Sequence, residues 1–261
     1  MIFEHDGQTL YYERQGAGKP LLLLHGWGGK IESWLPVTRD FSQTREVIAL
    51  DFPGFGRSPE PQATWSVTEY MELTAAFIRQ LGIEGADIVA HSFGGRVAIL
   101  MAATYPELAG KLVLTGAAGL IAKPNQKRRA RTTLYKALKG VVESAPARAI
   151  CGEKNVQALR EALIQKFGSA DYRALTPAMR PTFNRIIHQD LRPCLPQIRS
   201  SALLIWGAKD DQTPLWMGQV MEKEIPDAGL VVFEDAGHFA YLDRYADFRT
   251  IVRKFLEESN A

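Results

Sequence analysis

Two cysteines in 261 residues, Cys151 and Cys194, cannot build a disulfide framework and lack the spacing of a metal site. Charge of either sign is nearly balanced: 31 Lys and Arg against 29 Asp and Glu leave a formal charge of +2. That is too little to leave the electrostatic footprint of a nucleic-acid binder. No apolar run approaches the ~20 residues of a membrane span; the best candidate, "LLLLHGWGG", is broken within a few residues. The opening stretch, "MIFEHDGQTLYYERQG", has early acids and no apolar h-region, so no signal peptide is expected and a reducing, cytoplasmic setting is. No low-complexity tract or internal repeat occurs. With 46% hydrophobic and 23% charged residues, the composition is that of an ordinary folded chain.

What is present alternates between two periods. Residues 1–20 read as a hairpin turning at Asp6-Gly7. "PLLLLHG" (20–26) and "EVIALDFPG" (46–54) are short, continuously apolar runs, the pattern of strands buried on both faces of a parallel sheet. Within "SVTEYMELTAAFIRQLG", Val67, Tyr70, Met71, Thr74, Phe77, Ile78 and Leu81 share one helical face and Gly82 closes it. Further buried strands follow at "ADIVAHS", "KLVLTGA" (111–117), "ALLIWGA" (202–208) and "GLVVFEDAG" (229–237). Tyr241, Tyr245, Phe248, Val252 and Phe255 predict one amphipathic closing helix. Strands alternating with helices imply an α/β fold with a mostly parallel, twisted sheet flanked by helices. Between about 120 and 200 only helical patterns occur, too long a stretch for a loop and therefore a subdomain. The expected division is a core of 1–119 and 201–261 with a helical insertion of 120–200.

One short stretch carries chemistry. In "ADIVAHSFGGRVAIL" (86–100) a strand stops at His91-Ser92, two glycines follow, and a helix begins. A serine in that place is also an ordinary helix start, its hydroxyl capping the first turn. However, Ala90 and Gly94 put tiny residues two positions on either side of Ser92, as a sharp strand-to-helix turn with the serine at its apex requires. Further along, "LLIWGAKDDQTP" and "VVFEDAGHFAYL" each begin with a buried strand and place polar residues just beyond it. That is the edge where open parallel sheets carry their sites.

These stretches resemble the α/β-hydrolase fold family, in which the nucleophile, acid and histidine follow in that chain order. The resemblance implies a nucleophilic Ser92 in an A-x-S-x-G variant of the usual G-x-S-x-G. It also implies His238 as base, since it alone among five histidines follows a strand behind a glycine. His5, His25, His91 and His188 lack that context. By the family's spacing from Gly207 and Pro214 the acid is Asp210; Asp211 beside it and Asp235 before the histidine are the alternatives. The "HGWGG" loop resembles the family's H-G loop and implies backbone amides of Trp27 and Phe93 as donors to an oxyanion. As a phosphate cradle it fails, having neither G-x-G-x-x-G nor G-K-[ST]. "DFPGFGRS" (51–58) is a further family hallmark, in which Asp51 and Arg57 brace loops.

The resemblance spans Leu21 to His238 outside the insertion. It implies a serine hydrolase of the carboxylesterase type acting on a small ester, with no metal or organic cofactor. Ser92 excludes the aspartate-nucleophile relatives. Hydrolases of ring-fission products, which cut carbon–carbon bonds, usually carry asparagine before the serine and an H-G-x-G-P-G loop. Here His91 and "HGWGGK" stand there, making that activity the alternative. A ligand receptor on the same fold with little turnover is another. The 120–200 insertion falls where the family keeps its cap, the lid that selects substrate. From Leu108 to Val142 there is no Asp or Glu, while Lys123, Lys127, Arg128, Arg129, Arg131, Lys136 and Lys139 cluster. That stretch is a solvated helix face or a landing site for an acidic partner, a carrier protein or anionic lipid. His188 and Asp190 are expected to anchor the insertion's last helix.

Overall fold

In the computed structural model, residues 1–121 and 126–257 are described, as backbone alone at 126–132, 147–148 and 151. The strands are β1 (Ile2–His5), β2 (Gln8–Gln15), β3 (Pro20–Leu24), β4 (Glu46–Asp51), β5 (Ala86–His91), β6 (Ala109–Thr115), β7 (Ala202–Gly207) and β8 (Ala228–Phe233). They form one sheet in the order β1-β2-β4-β3-β5-β6-β7-β8. Only β1 with β2 and β2 with β4 pair antiparallel; every pairing from β4 to β8 is parallel. β5 and β7 are buried at every position, which is why their sequences run apolar without alternation.

The helices are α1 (Leu35–Phe41), α2 (Val67–Leu81), α3 (Phe93–Thr104), α4 (Gln126–Val142), α5 (Ala145–Phe167), α6 (Ala170–Ala174), α7 (Met179–Ile187), α8 (Trp216–Glu224), α9 (Ala240–Asp243) and α10 (Tyr245–Glu257). α2 begins with a capping box between Ser66 and Glu69 and ends at Gly82 in the left-handed conformation, φ 63°, as its sequence demands. Val37 and Phe41 of α1 join Tyr241 of α9 and Phe248, Val252 and Leu256 of α10 in one core, over Leu21, Leu23, Val89, Val113 and Ile205. Each such fully buried side chain contributes about 2 kcal/mol of hydrophobic stabilisation. α3 packs on β3, β5 and β6, while α8 packs on β7 and β8. The single closing helix expected from sequence is two, since the chain breaks at Arg244 (φ −124°, ψ 48°) between α9 and α10. Its apolar spacing runs unbroken across the break, so the pattern alone does not reveal it.

The chain divides into two compact units, Met1–Leu120 with Asn184–Ala261, and Ile121–Phe183. The second follows β6 and, among its described residues, contains helices and no strand. Arg180 pairs with both carboxylate oxygens of Glu161 at 2.7 and 2.9 Å, and the Tyr135 and Phe167 rings meet at 5.8 Å. The expected insertion, 120–200, runs past this unit, for residues 184–200 group with the sheet. Their attachment combines the buried side chains of Leu191, Leu195 and Ile198 with polar bonds: Gln189 takes the Val67 amide at 3.0 Å, Arg96 donates to the Gln189 carbonyl at 2.8 Å, and the Leu191 amide donates to Gly119 O at 2.8 Å. Lys123 of the basic stretch lies outside the described residues, as do the side chains of Lys127, Arg128, Arg129 and Arg131.

Candidate active site

β3, β5, β7 and β8 run the same way, so the loops that leave their C-terminal ends share one edge of the sheet. Those loops carry the residues singled out from sequence. Ser92 sits directly after β5 with φ 50° and ψ −108°. Among the described residues only Asp6, in the first hairpin turn, is another non-glycine with positive φ. A side chain held there costs about 1–3 kcal/mol and persists only where surroundings over-determine it. They do so here: the Ser92 amide donates to Thr115 O at 3.2 Å, and its carbonyl accepts from the Gly95 and Ala118 amides at 3.0 Å each. Its side chain makes no capping bond to α3, so the ordinary helix-start role is not the one it plays. The glycines around it answer to close approach. A Cβ on Gly94 would lie 2.2 Å from Leu24 O, and one on Gly95 would lie 2.5 Å from the Ala117 Cβ.

Asp210 and His238 meet across the β7 and β8 loops. His238 Nδ1 is 2.8 Å from Asp210 Oδ2, with both side chains almost wholly buried. The two loops are sewn together by the Ala208 amide on Phe233 O and the Lys209 amide on Ala236 O, both 3.0 Å. Gly207 must be small, since its Cβ would fall 2.3 Å from Gly237 O. Asp210 Oδ1 accepts the amides of Gln212 and Thr213 at 2.9 Å, and Oδ2 also accepts the Thr213 hydroxyl at 2.7 Å. Burial pushes this carboxyl up, but the hydrogen bonds and charge of His238, with those of Thr213, outweigh burial and hold it below its ordinary value. Asp211 is exposed, and Asp235 turns away to Arg244 at 2.8 Å.

The residue before Ser92 joins the two halves. His91 Nε2 donates to the His238 carbonyl at 3.0 Å, and the two rings lie 4.7 Å apart. Burial, reinforced by His238, pushes His91 down to about 3, so it is neutral. A Cβ on Gly26 would lie 2.7 Å from His91 Nδ1 and 3.2 Å from Ser92 Cβ, so the loop after β3 also closes on this point. Within that loop His25 is a brace. Its Nε2 accepts the Phe52 amide at 3.0 Å and its Nδ1 faces Gly26 O at 2.7 Å, which fixes the Nδ1–H tautomer. Burial pushes it down to about 4.

Trp27 and Phe93, the expected oxyanion donors, lie side by side, their rings 5.2 Å apart in an edge contact. The Gly94 amide donates to His25 O at 3.1 Å, stitching the start of α3 to the H-G loop. Phe52, Phe55 and Tyr70 complete an aromatic wall around Phe93. Asp51 accepts the Ile31 amide at 2.7 Å and the Arg57 amide at 2.9 Å. The Arg57 side chain meanwhile reaches Glu13 and Glu32 at 3.0 and 3.3 Å. His188, just beyond α7, faces the Asn184 carbonyl of that helix at 2.6 Å, and Asp190 accepts the Arg192 amide at 3.2 Å.

Sequence reasoning gave no role to Thr213, His91 or Gly116. Gly116 adopts φ 49°, a conformation that favours glycine, and a Cβ there would crowd His238 O at 3.1 Å and Asp210 Oδ2 at 3.3 Å. Only its place at the end of β6 hints at this.

Known proteins share this arrangement of strands and loops. A sequence model of the α/β hydrolase fold matches residues 19–245. The 2-hydroxymuconate semialdehyde hydrolase of Pseudomonas putida is 30% identical over 257 residues, covering 95% of this chain and 90% of its own. Among solved structures, the α/β hydrolase MGS-M2 from a Medee basin deep-sea metagenome library superposes with a TM-score of 0.76 at 20% identity, over 100% of this chain and 98% of that one. A bacterial membrane phospholipase A superposes at 0.73 with 27% identity, over 98% and 85% of the two chains. The chain belongs to the α/β-hydrolase fold family.

Proposed function

We propose that the protein is a serine hydrolase that cleaves a small carboxylic ester through an acyl-enzyme on Ser92. One observation carries this: a strained serine that caps nothing, next in sequence to a histidine bonded to the loop of a buried Asp210–His238 pair. In this reading the Ser92 hydroxyl attacks the acyl carbon while His238 Nε2 takes its proton. Asp210 holds Nδ1–H and so fixes the tautomer that leaves Nε2 free to accept. The amides of Trp27 and Phe93 receive the oxyanion, each worth ~3 kcal/mol in comparable sites. His238 then returns the proton to the departing alkoxide. Water activated by the same imidazole later releases the acid and restores the serine. The helical unit Ile121–Phe183 serves as the cap that selects the acyl group. The low cysteine content, two in the sequence, supports our reading of a reducing, cytoplasmic setting.

A second reading, the carbon–carbon hydrolase, has its own support: the P. putida relative is named a 2-hydroxymuconate semialdehyde hydrolase. Against it stand His91 where asparagine is usual, and the "HGWGGK" loop without the family's proline. The phospholipase neighbour favours ester cleavage. Fluorophosphonate labelling combined with nitrophenyl esters of graded acyl length separates the readings. The ester hydrolase labels on Ser92, turns over many times, and loses both in Ser92→Ala. Turnover of a vinylogous diketone with no ester activity establishes the carbon–carbon hydrolase instead, and a single labelling event with no turnover on either substrate class establishes the receptor. For the basic stretch we propose an acidic partner. Charge reversal at Arg128 and Arg129 then lowers activity on carrier-bound or interfacial esters while sparing small soluble ones, and equal effects on both refute it.

A further inference from the structure

The hydroxyl of Thr213 is the one feature of the Asp210–His238 pair that neither strand ends nor family spacing explains. It is buried and sits among three polar atoms: Asp210 Oδ2 at 2.7 Å, Gly116 O at 2.9 Å and His238 Nδ1 at 3.2 Å. The residue is held from both sides of its backbone. Its amide donates to Asp210 Oδ1 at 2.9 Å, and its carbonyl accepts the indole N–H of the fully buried Trp206 at 2.7 Å. Thr213 therefore grips both oxygens of the carboxylate, one through the main chain and one through the side chain. A hydroxyl has a single proton. An ionised carboxylate 2.7 Å away is the stronger of its two acceptors, because two bare oxygens at that distance repel and a charged acceptor binds the proton harder.

We propose that Thr213 is a positioning residue for the reaction: its hydroxyl fixes the plane of the Asp210 carboxylate toward His238 and shares the Oδ2 lone pairs, so that the imidazole is held aligned to act as base. This rests on the serine-hydrolase reading above. No proton leaves Thr213 in the cycle. The proton that moves is the one from Ser92 to His238 Nε2, and Thr213 sets how strongly Asp210 pulls on the Nδ1 side while it does. Among the described residues, the other titratable group bonded to or stacked on His238 is His91, which burial keeps neutral, so it supplies no competing charge.

The chemistry predicts a distinct signature for Thr213→Val, which keeps the shape and removes the hydroxyl. Without that donor, Oδ2 is less satisfied and holds an imidazolium more tightly. The acid limb of the pH profile moves to higher pH, by about half a unit. The carboxylate also loses its fixed plane, and the plateau kcat on a nitrophenyl ester falls about tenfold with KM within twofold. Thr213→Ser restores both. Measured on folded protein, checked by thermal melting, the pH dependence of fluorophosphonate labelling gives the same limb without reliance on any one substrate. Thr213→Ala supplies the same readouts should the valine variant not fold. A wild-type acid limb in Thr213→Val overturns the proposal, as does a kcat loss without the limb shift, or a serine variant as impaired as the valine one. If wild-type protein does not label on Ser92, the serine-hydrolase reading itself fails; labelling with an indifferent Thr213→Val sinks only the role of Thr213.

Discussion

Two carboxylates lie fully buried at opposite ends of the same sheet, and their partners differ in kind. Asp87, second residue of β5, faces Lys19 Nζ at 2.8 Å, Arg45 Nη1 at 2.8 Å and the Lys111 amide at 2.8 Å. Around it Arg45 and Lys111 also bond the carbonyls of Leu256 and Phe255 at 3.2 and 2.7 Å, tying down the end of α10. Asp210, past the end of β7, has an imidazole, a hydroxyl and two amides. Two cationic side chains, Lys19 and Arg45, face Asp87 directly, so it is suited to holding the fold. Among the described residues no lysine or arginine bonds Asp210, and its charge is met in full only when His238 becomes imidazolium. A buried carboxylate left short of a fixed counter-charge can favour a proton's arrival elsewhere, which is what general-base chemistry requires.

The sharpest break in that comparison is Asp210→Asn. The expected outcome is a fall of about 10⁴-fold in kcat on a nitrophenyl ester, from the wrong imidazole tautomer, with a smaller loss of stability than Asp87→Asn shows. Asp87→Asn should do the reverse. It strands Arg45 and part of Lys19 without a counter-charge and costs about 3 kcal/mol, read as a lower urea midpoint. Activity per folded molecule stays as it was. If Asp87→Asn instead slows the chemistry and leaves stability intact, the division between the two ends is mistaken.

Smaller again is Gly94→Ala. Its methyl would meet Leu24 O at 2.2 Å, and overpacking of this kind costs about 1–3 kcal/mol. Because the displaced backbone is the turn that presents Ser92, the loss appears both in the urea midpoint and as slower fluorophosphonate labelling. Unchanged labelling in a destabilised variant would show that the turn tolerates the shift.

The two ends were unequally legible. At the C-terminal edge each candidate side chain stands next to a strand whose apolar run announces it: "ADIVAHS", "ALLIWG" and "GLVVF" mark where Ser92, Asp210 and His238 must emerge. Asp87 had no such marker. Its cationic side-chain partners lie 68 and 42 residues away along the chain, and only the sheet brings them together. His91 was hidden for the same reason, its partner being the His238 carbonyl on another loop, and of the groups around the Thr213 hydroxyl Gly116 O and His238 Nδ1 also sit on other loops. α1 is a different failure: seven residues with a proline near its start, Leu35–Phe41, offer too few turns for a period to show.

The smallest effect concerns His25 and His91, the neutral braces between these loops. Both are pushed below their ordinary value of 6.5, to about 4 and about 3, chiefly by burial. The unfolded chain binds these protons first, so their contribution to stability is complete above pH 6.5 and drains away as pH falls toward those lower values. Asp210 behaves differently: its depressed value keeps its contribution intact until about pH 4, near its ordinary 3.8, and loses it only as pH falls through the folded value. Between pH 7.5 and 5.5, therefore, the histidines weaken the fold and Asp210 does not. His91→Gln, which keeps a donor toward the His238 carbonyl and cannot titrate, should lose about 1 kcal/mol less than wild type over that interval in urea unfolding. An equal loss in both proteins would mean that His91 is not held neutral, and the rigid neutral bridge between Ser92 and the His238 loop would have to be abandoned.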